Sequence, residues 1–435
     1  MNRNISDIPI PTHRLWRGAL EYSILRRFLV YGTLLPQWSK PLLSLLRLLL
    51  GCICNVEIFL FKGVVRGTDR LSTAMYIGHK ASAYHFADVV YSKILWVSLL
   101  GNLPAFRVDP SRLPNVEITA ASVEEPLVGK FLKRNFLYLP LVDFSLDLRR
   151  PMSDIMKRLS RRRRRDLTKL ANYNYSWTVH RDSEKDFDFF YWKMYYPYIT
   201  RRFGRVASIK GYLESKADYL DNGGIFFVNR GERPVAGILF QIREKTLYAL
   251  CLGIYEGNQE LVSNLAGQAA LFFLIKWAQM KDLASLNYGL TVPFLRDGLF
   301  QYKKEWGMSA ERTTGSIYCL LRLNVSNKDA FSMLSQNPFV FVDKGLMKGV
   351  IFVEHDTTRN ELEHISSEYL SAGLDSLIVI ACGDKNPDAS KSNAFSECRN
   401  FSHCLAYPLF NICMRLVEQG LEVSVFERSK ERAKQ

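Results

Sequence analysis

One stretch of the chain, residues 246–308, constrains the fold more than any other part of this 435-residue sequence. It reads as a strand, a glycine-containing turn, an amphipathic helix, a second strand and a short basic segment at residues 302–307. This alternation is typical of a sheet covered by helices. A helix that begins just after a strand presents backbone N–H groups and the positive end of its dipole. We therefore predict an anion-binding site at this helix start.

The composition is that of a globular protein with an anionic partner. A hydrophobic fraction of 48% supplies enough apolar surface for folding, and the length allows two or three domains. The net charge of +15 favours a nucleic acid, a phosphorylated cofactor or an anionic membrane, without deciding among them. Eight unevenly spaced cysteines and the absence of a secretory leader predict reduced thiols and a cytoplasmic protein. Peripheral attachment to the inner membrane surface stays open.

Residues 42–61 are almost continuously apolar. A helix of about 20 residues is roughly 30 Å long, enough to cross a bilayer core. Five residues recur at steps of three or four and would form one narrow stripe of that helix: Lys40, Ser44, Arg47, Gly51 and Asn55. A charge in mid-span disfavours a spanning helix. Three interpretations remain open, namely a buried packing helix, a helix on a membrane surface and a true span.

The chain divides into four predicted regions. They are an N-terminal apolar-basic helical segment at 1–65, a degenerate α/β half at 66–151, a densely alternating domain at 152–326 and a small appended α/β segment at 327–435. In the second region the pattern predicts a strand at 73–77, a helix at 86–99 and a strand at 136–148.

In the third region Ser153 is predicted to cap one helix that continues to Leu170. Further elements follow, with helices at 187–203 and 208–220, a hairpin of strands 225–228 and 235–243, a strand at 246–252, a helix at 263–279 and a strand at 285–289.

The helix after the third of these strands opens with the sequence Asn-Leu-Ala-Gly-Gln-Ala at residues 264–269. The surrounding strand order resembles the GNAT acyltransferase fold, whose pyrophosphate-binding signature is Gln or Arg, two residues, Gly, one residue, then Gly or Ala. Gly267 and Ala269 match this signature, whereas Asn264 departs from it. The resemblance implies that Asn264, Gly267, Gln268 and Ala269 bind the donor. The small residues would equally permit close packing of the helix.

Residues 285–289 and 302–307 resemble the end of the acyltransferase domain in Fem-like and polysaccharide-associated members of the GNAT superfamily. Those proteins show an Asp-Phe-Gly-like strand followed by Tyr or Phe and a Lys-rich turn. Asn287 stands where an acid is common, and an amide cannot act as a general base. Lys303 and Lys304 are predicted to place charge on a phosphate or carboxylate. A solvated turn is the alternative for both.

Five consecutive arginines at residues 161–165 resemble the basic helix that leads into the same domain. Such a helix can attract a phosphorylated donor, tRNA or an anionic lipid surface. It can equally be the solvated face of an amphipathic helix.

Acyl transfer to an amine needs positioning, a route for the amine proton and a donor for the oxyanion. The resemblance implies that strand residues Tyr248 and Leu250 polarise the thioester carbonyl through their backbone amides. Tyr302 is the candidate donor to the leaving thiolate, and Glu256 and Asp297 are the candidate bases. Each of these three side chains has a turn or surface role as its alternative.

No metal site is predicted. Four residues near the C-terminus lie close together but lack the paired spacing of zinc ligands: Cys398, His403, Cys404 and Cys413.

Together these features predict an α/β fold with a GNAT-like mixed sheet flanked by helices, and N-terminal helices. A tandem arrangement with a degenerate first half is an open extension. The implied activity is transfer of an acyl group from acyl-CoA, as a co-substrate and not a tightly bound cofactor, to an amine of a sugar, lipid or peptide intermediate. A Fem-like ligase that uses aminoacyl-tRNA is the alternative enzyme. A catalytically silent scaffold on a membrane surface or nucleic acid is the third interpretation.

Overall fold

The computed structural model describes residues 55–104, 107–114, 116–134, 136–204, 207, 209–313, 317–323, 334–354, 357–384, 413 and 421–429. The strands are β1 (Asn55–Val65), β2 (Leu71–Gly78), β3 (Tyr91–Pro104), β4 (Ile118–Glu124), β5 (Leu137–Leu139), β6 (Val142–Asp147), β7 (Tyr175–His180), β8 (Gly223–Arg230), β9 (Arg233–Arg243), β10 (Thr246–Ile254), β11 (Ser285–Thr291), β12 (Ser309–Arg312), β13 (Ile317–Leu323), β14 (Phe339–Asp343), β15 (Leu346–Glu354), β16 (Ser376–Asp384) and β17 (Leu421–Ser429).

The helices are α1 (Lys80–Val90), α2 (Glu125–Leu132), α3 (Met152–Arg158), α4 (Arg161–Lys169), α5 (Glu184–Phe189), α6 (Tyr196–Phe203), α7 (Tyr212–Leu220), α8 (Gln259–Ser263), α9 (Ala266–Met280), α10 (Gly298–Glu305) and α11 (Arg359–Tyr369). A π-helical turn, Phe190–Tyr195, joins α5 to α6. The strands form three mixed sheets with helices packed against them. The predicted α/β class is therefore confirmed.

The first sheet has six strands in the order β3-β1-β2-β4-β13-β5. The N-terminal helix prediction is wrong for residues 55–65, which form β1, and residues 1–54 lie outside the described part of the chain. Ile58 packs into one apolar cluster and Phe59 into another. A strand buried on both faces is a continuous apolar run, which periodicity cannot distinguish from a buried helix.

The helix predicted at 86–99 is correct only as far as Val90. Residues from Tyr91 onward form β3, which pairs antiparallel with β1 along its length. The predicted strand at 136–148 is two strands, β5 and β6, because Pro140 lies between them and has no N–H to donate. The strand at 73–77 is confirmed within β2.

The second sheet has seven strands in the order β12-β6-β11-β10-β9-β8-β7. The predicted hairpin is confirmed as β8 and β9, and the strand at 246–252 and helix at 263–279 are confirmed as β10 and α9. Helix α9 covers one face of the sheet with buried Leu271, Leu274 and Trp277. The predicted helices at 187–203 and 208–220 correspond to α5 through α6 and to α7.

The single helix predicted from Ser153 to Leu170 is wrong, since the segment forms α3 and α4. Leu159 is extended, and the next N–H, of Ser160, donates to the carbonyl of Glu305 at 2.8 Å. This bond to the end of α10 draws the chain out of helical geometry. The serine that caps a helix here is Ser160, at the start of α4, and not Ser153. The Ser160 side chain accepts from the N–H of Arg163.

The third sheet, β14-β15-β16-β17, is joined to the second through the loop before α10. The N–H of Leu295 donates to Pro338, and that of Val340 donates to Pro293, both at 2.8 Å. Buried Val340 and Ile351 belong to the same apolar cluster as α9. The appended segment thus contributes to the core beneath the predicted site.

Strands cross the predicted domain boundaries. β6, from the predicted first half, pairs with β11 and β12, and β13 pairs with β4 and β5. The boundaries at 151 and 326 themselves stay predictions. Among the described residues, none of the helices has the length and apolarity needed to cross a bilayer.

Candidate functional site

The centre of the second sheet opens between β10 and β11. These parallel strands pair over only three positions, from Thr246 opposite Ser285 to Tyr248 opposite Asn287. β10 continues to Ile254 and, among the described strands, pairs there only with β9. A bulge makes Leu250 an extra residue on β10. The β11-facing backbone edge of β10 beyond Tyr248 is therefore available to a ligand.

Helix α9 begins next to this opening without a side-chain cap. Its N-cap residue, Leu265, has a left-handed backbone with φ of 65°. The first N–H groups of a helix have no partner inside it, so those of residues 266–268 can donate to an anion. Asn264 lies just before the helix, and its carbonyl accepts from the Tyr175 hydroxyl at 2.9 Å.

Gly267 and Ala269 are both buried, but the packing does not require glycine at 267. Ala269 is fully buried in the core. A Cβ placed on Gly267 would lie 3.5 Å from Leu252 Cδ2 and 3.7 Å from Ile254 Cδ1, which are ordinary contacts. The helix could thus pack with alanine at 267. Glycine there matches the alternative role, close approach of a ligand to the backbone. Gln268 is half-buried.

Two tyrosines line the β11 side. Tyr288 follows the last residue of β11 that pairs with β10, and Tyr302 lies on α10 with its ring centroid 6.2 Å away. Burial raises the pKa of both hydroxyls, and for Tyr302 the Arg163 guanidinium opposes that rise. The guanidinium lies 4.7 Å from the Tyr302 ring centroid. Both hydroxyls are therefore protonated near neutral pH.

Arg163 differs from the rest of the arginine run because it is buried. Its Nη2 lies 2.7 Å from the Glu305 carboxylate and its Nη1 lies 3.3 Å from that of Asp166. The pair with Glu305 joins α4 to α10, the pair with Asp166 lies within α4, and together they fix the guanidinium over Tyr302. The other four arginines are exposed: Arg161, Arg162, Arg164 and Arg165.

Lys303 is buried, with only 2% of its surface exposed. Its Nζ donates to the carbonyls of Gly289 at 2.6 Å and Leu290 at 3.1 Å. Burial lowers the pKa of Lys303 to about 7, and Asp143 and Asp297 oppose the shift. The side chain therefore holds the chain just after Tyr288 in place, and its amine does not face solvent.

Lys304 points away from Lys303. Its Nζ donates to the carbonyls of Ser367 and Glu368 in the last turn of α11, where a cation is favourable. Burial lowers the pKa of Lys304, with Glu368 and Glu305 opposing. The structure places the two lysines on different partners.

The two predicted bases lie in different settings. Asp297 caps α10, accepting from the N–H groups of Leu299 and Phe300 at 3.0 Å each. Glu256 is exposed just past β10, and its carbonyl accepts from Arg201. The structure thus brings Tyr302 and Lys303 to the β11 side of the opening, and leaves Glu256 beyond the far end of β10.

Asp143 is a carboxylate at the site that the sequence did not reveal. The amide nitrogen of Asn287 donates to its Oδ2 at 2.7 Å, and the amide oxygen of Asn287 accepts from the Gly289 N–H at 2.9 Å. An acid from β6 therefore stands beside Asn287, the position at which the resemblance implies an acid. The available signal was the alternation of residues 142–147, which puts Asp143 on the polar face of a strand.

Tyr248 is half-buried, and the guanidinium carbon of Arg243 lies 5.6 Å from its ring centroid. Metal-binding side chains do not cluster anywhere in the described residues. Of the four C-terminal residues considered as zinc ligands, Cys413 is buried with a free thiol, and Cys398, His403 and Cys404 lie outside the described part.

Replacement of Lys303 by methionine is expected to change how stability depends on pH. Between pH of about 7 and 10.5 the unfolded chain holds a proton at this lysine that the folded chain lacks, so the free energy of unfolding rises with pH. The slope from one such group is at most about 1.4 kcal/mol per pH unit. Urea unfolding across this range should show a shallower rise in Lys303→Met. The exposed Lys169→Met serves as control, and parallel curves for Lys303→Met and wild type would contradict the burial of Lys303.

Three solved structures similar to this chain are FemX, L-PGS from Bacillus licheniformis and a GCN5-related N-acetyltransferase from Kribbella flavida. FemX is 12% identical, with 65% of this chain and 87% of that chain covered and a TM-score of 0.33. L-PGS is 12% identical, with 62% and 87% covered and a TM-score of 0.32. The acetyltransferase is 9% identical, with 74% and 71% covered and a TM-score of 0.24. No protein-family model and no curated protein matches the chain.

The seven-stranded sheet has the features expected of a GNAT-like fold. An antiparallel run from β7 to β10 leads into α9, and α9 leads into β11, which lies parallel to β10. The parallel pair opens beside the start of the helix. The chain thus has a mixed sheet flanked by helices, consistent with the fold predicted from the sequence, and its function depends on what this opening binds.

Proposed function

We propose that the chain is an N-acyltransferase that moves an acyl group from acyl-CoA to an amine. The observation that carries the proposal is the opening between β10 and β11 beside the uncapped start of α9. An acyl-CoA carries a thioester at one end of a narrow arm and a pyrophosphate at the other. The free edge of β10 suits the thioester carbonyl, and the N–H groups of residues 266–268 suit the pyrophosphate.

In the proposed reaction the acceptor nitrogen bonds to the thioester carbon, and the bond from that carbon to the CoA sulfur breaks. The transient oxyanion accepts from backbone N–H groups of β10 near Leu250. The departing thiolate takes the Tyr302 proton, the amine loses its proton to a separate base that releases it to water, and Tyr302 regains a proton from water after CoA leaves. Burial keeps the Tyr302 hydroxyl protonated, which suits it to this step. The products are an amide and CoA.

Glu256 is the proposed proton acceptor. Its side chain is exposed just past the open part of β10. The Asp297 carboxylate, in contrast, is already engaged as the cap of α10, because it accepts from two N–H groups at the start of that helix. We assign Lys303 and Lys304 to shaping the site and not to binding the donor, because both donate to backbone carbonyls. The acceptor amine belongs to a sugar, lipid or peptide intermediate, as the resemblance to Fem-like proteins implies.

Acetyl-CoA or a longer acyl-CoA is expected to stabilise the purified protein. A ligand that binds only the folded state at about a hundredfold above its Kd adds about 2.7 kcal/mol to the free energy of unfolding. Gln268→Glu should abolish this gain, because it places a negative charge in the first turn of α9 where the pyrophosphate would lie. The same charge favours an unliganded helix start, so the variant should fold. Thermal unfolding with and without acyl-CoA measures both effects.

Gln259→Glu is the matched control, since it makes the same change in the first turn of the exposed helix α8. It should leave the acyl-CoA shift unchanged. If no acyl-CoA shifts the unfolding temperature of the wild type, the donor is not acyl-CoA. If one does, release of free CoA with amine acceptors should fall in Tyr302→Phe while donor binding is retained.

The exposed arginines of α4 favour a second candidate function, transfer of an aminoacyl group from tRNA. Arg164 donates from one guanidinium nitrogen to the carbonyls of Lys157 and Leu159. The other three exposed side chains on this short helix can contact several phosphates, which makes binding steeply dependent on salt. Tight, salt-sensitive binding of aminoacyl-tRNA together with no acyl-CoA shift would establish this alternative. Absence of both would leave a non-catalytic scaffold.

A further inference from the structure

An exposed apolar surface lies on the edge of the first sheet. The strand that forms it is distant in the sequence from the two strands that form the opening. Within nine residues of β3, five large apolar side chains have more than a third of their surface exposed: Leu95, Trp96, Leu99, Leu100 and Leu103. We call these five residues the β3 patch. The pairing with β1 puts Trp96 and Leu99 on opposite faces of the sheet, so the exposed side chains surround the edge strand and do not cover one face. Exposed apolar residues concentrated along one edge in this way mark an interaction site.

The backbone of β3 is poorly suited to pairing with another strand. β3 is at the end of its sheet, and its pairing with β1 shifts register three times, near Phe59, Gly63 and Val65. Each shift inserts an extra residue into β3, among them Leu95 and Leu100. Bulges disrupt the ladder of N–H and C=O groups and twist an edge strand away from partners. The patch is therefore not a template for addition of a strand from a second copy.

Two of the three charged residues on β1 and β3 are basic. Lys62 on β1 lies opposite Trp96 and is exposed, and Lys93 is the one charged residue of β3. Glu57, opposite Asn102, is the single acidic residue of the two strands. Tryptophan and leucine flanked by lysines are typical of surfaces that enter the interface of an anionic bilayer. The chain's net charge of +15 also favours binding to an anionic lipid surface.

The N-terminal sequence meets the described structure at the same edge. Asn55 pairs with Pro104, next to Leu103 at the end of the patch. The sequence just before it, residues 42–54, is apolar with a single charge at Arg47. The described part of β1 therefore starts next to the end of the patch.

We propose that the β3 patch docks the protein on an anionic lipid surface, with Trp96 and the leucines in the interfacial layer and Lys62 and Lys93 against the headgroups. At that depth water and lipid phosphates can accept from the N–H groups of the strand edge. The docking surface is separate from the opening between β10 and β11, so it does not depend on the proposed acyl transfer.

Binding of the full-length chain to vesicles tests this surface. Phosphatidylcholine vesicles containing phosphatidylglycerol should sediment the wild type, and pure phosphatidylcholine vesicles should sediment less. Replacing Trp96, Leu99 and Leu100 together by serine should weaken binding by at least about tenfold. The control replaces three exposed leucines outside the patch by serine, namely Leu213, Leu220 and Leu346, and should bind as the wild type does.

Quenching of tryptophan fluorescence by brominated lipid is a second measurement. It should occur in the wild type and be reduced in Trp96→Phe, a conservative change at an exposed site. Failure of the wild type to bind anionic vesicles would overturn the proposal. So would equal binding of the two triple variants, or concentration-dependent self-association that only the patch variant loses.

Discussion

Replacement of Gly373 by alanine is expected to destabilise the protein more than the same replacement at any other described glycine. Gly373 has φ of +94°, and a Cβ placed there would lie 2.6 Å from the carbonyl carbon of Ala310 and overlap its oxygen. The obstructing atoms are backbone, and the Ala310 N–H already donates to the Ala372 carbonyl at 2.7 Å. We expect a cost above about 4 kcal/mol, measured by urea unfolding.

Gly345→Ala separates overlap from backbone strain. Gly345 also has positive φ, +85°, but a Cβ there would meet no atom within 4 Å. The left-handed conformation alone costs roughly 1–2 kcal/mol for a residue with a Cβ. Equal losses in the two variants would mean that the loop at Gly373 does not pack on β12. A much larger loss at Gly373 would show that the third sheet is joined rigidly to the sheet that carries the site.

The sequence correctly predicted the elements whose apolar residues lie on one face. Helix α9 and the hairpin of β8 and β9 agree with their predicted positions within a few residues. The helix predicted at β1 was wrong because the apolar side chains of this strand occupy both faces. A helix and a buried strand then have the same sequence pattern. The predicted continuous helix at α3 and α4 failed for a different reason. The bond from Ser160 to Glu305 that separates the two helices joins residues far apart in sequence.

The features of the candidate site also differ in whether the sequence alone could predict them. The uncapped start of α9 is a local feature, so the sequence could locate it. The neighbours Lys303 and Lys304 looked equivalent in the sequence, yet one donates to the chain after β11 and the other to the end of α11. The contact of Asn287 with Asp143 depends on the pairing of β11 with β6. Only the assembled sheet brings these residues together.

The arginine run held a signal that could have been used. Arg163, Leu167 and Leu170 are spaced by four and three residues, which places Arg163 on the apolar face of α4. A basic residue on that face must be paired when buried, because an isolated buried charge is costly. The spacing therefore distinguishes one structural arginine from four exposed ones.

Arg163→Ala is expected to cost about 3–5 kcal/mol, whereas Arg162→Ala one position earlier should cost less than about 0.5 kcal/mol. Arg163 is 5% exposed, and its removal leaves the partly buried carboxylates of Glu305 and Asp166 without their cation. Urea unfolding of both variants measures the difference. If the lost ion pair is the cause, the double variant Arg163→Ala with Glu305→Gln should recover part of the stability, because it removes one of the two unpaired carboxylates and leaves only that of Asp166. Equal losses for the two single arginine variants, or no recovery in the double variant, would show that Arg163 does not hold α4 and α10 together over Tyr302.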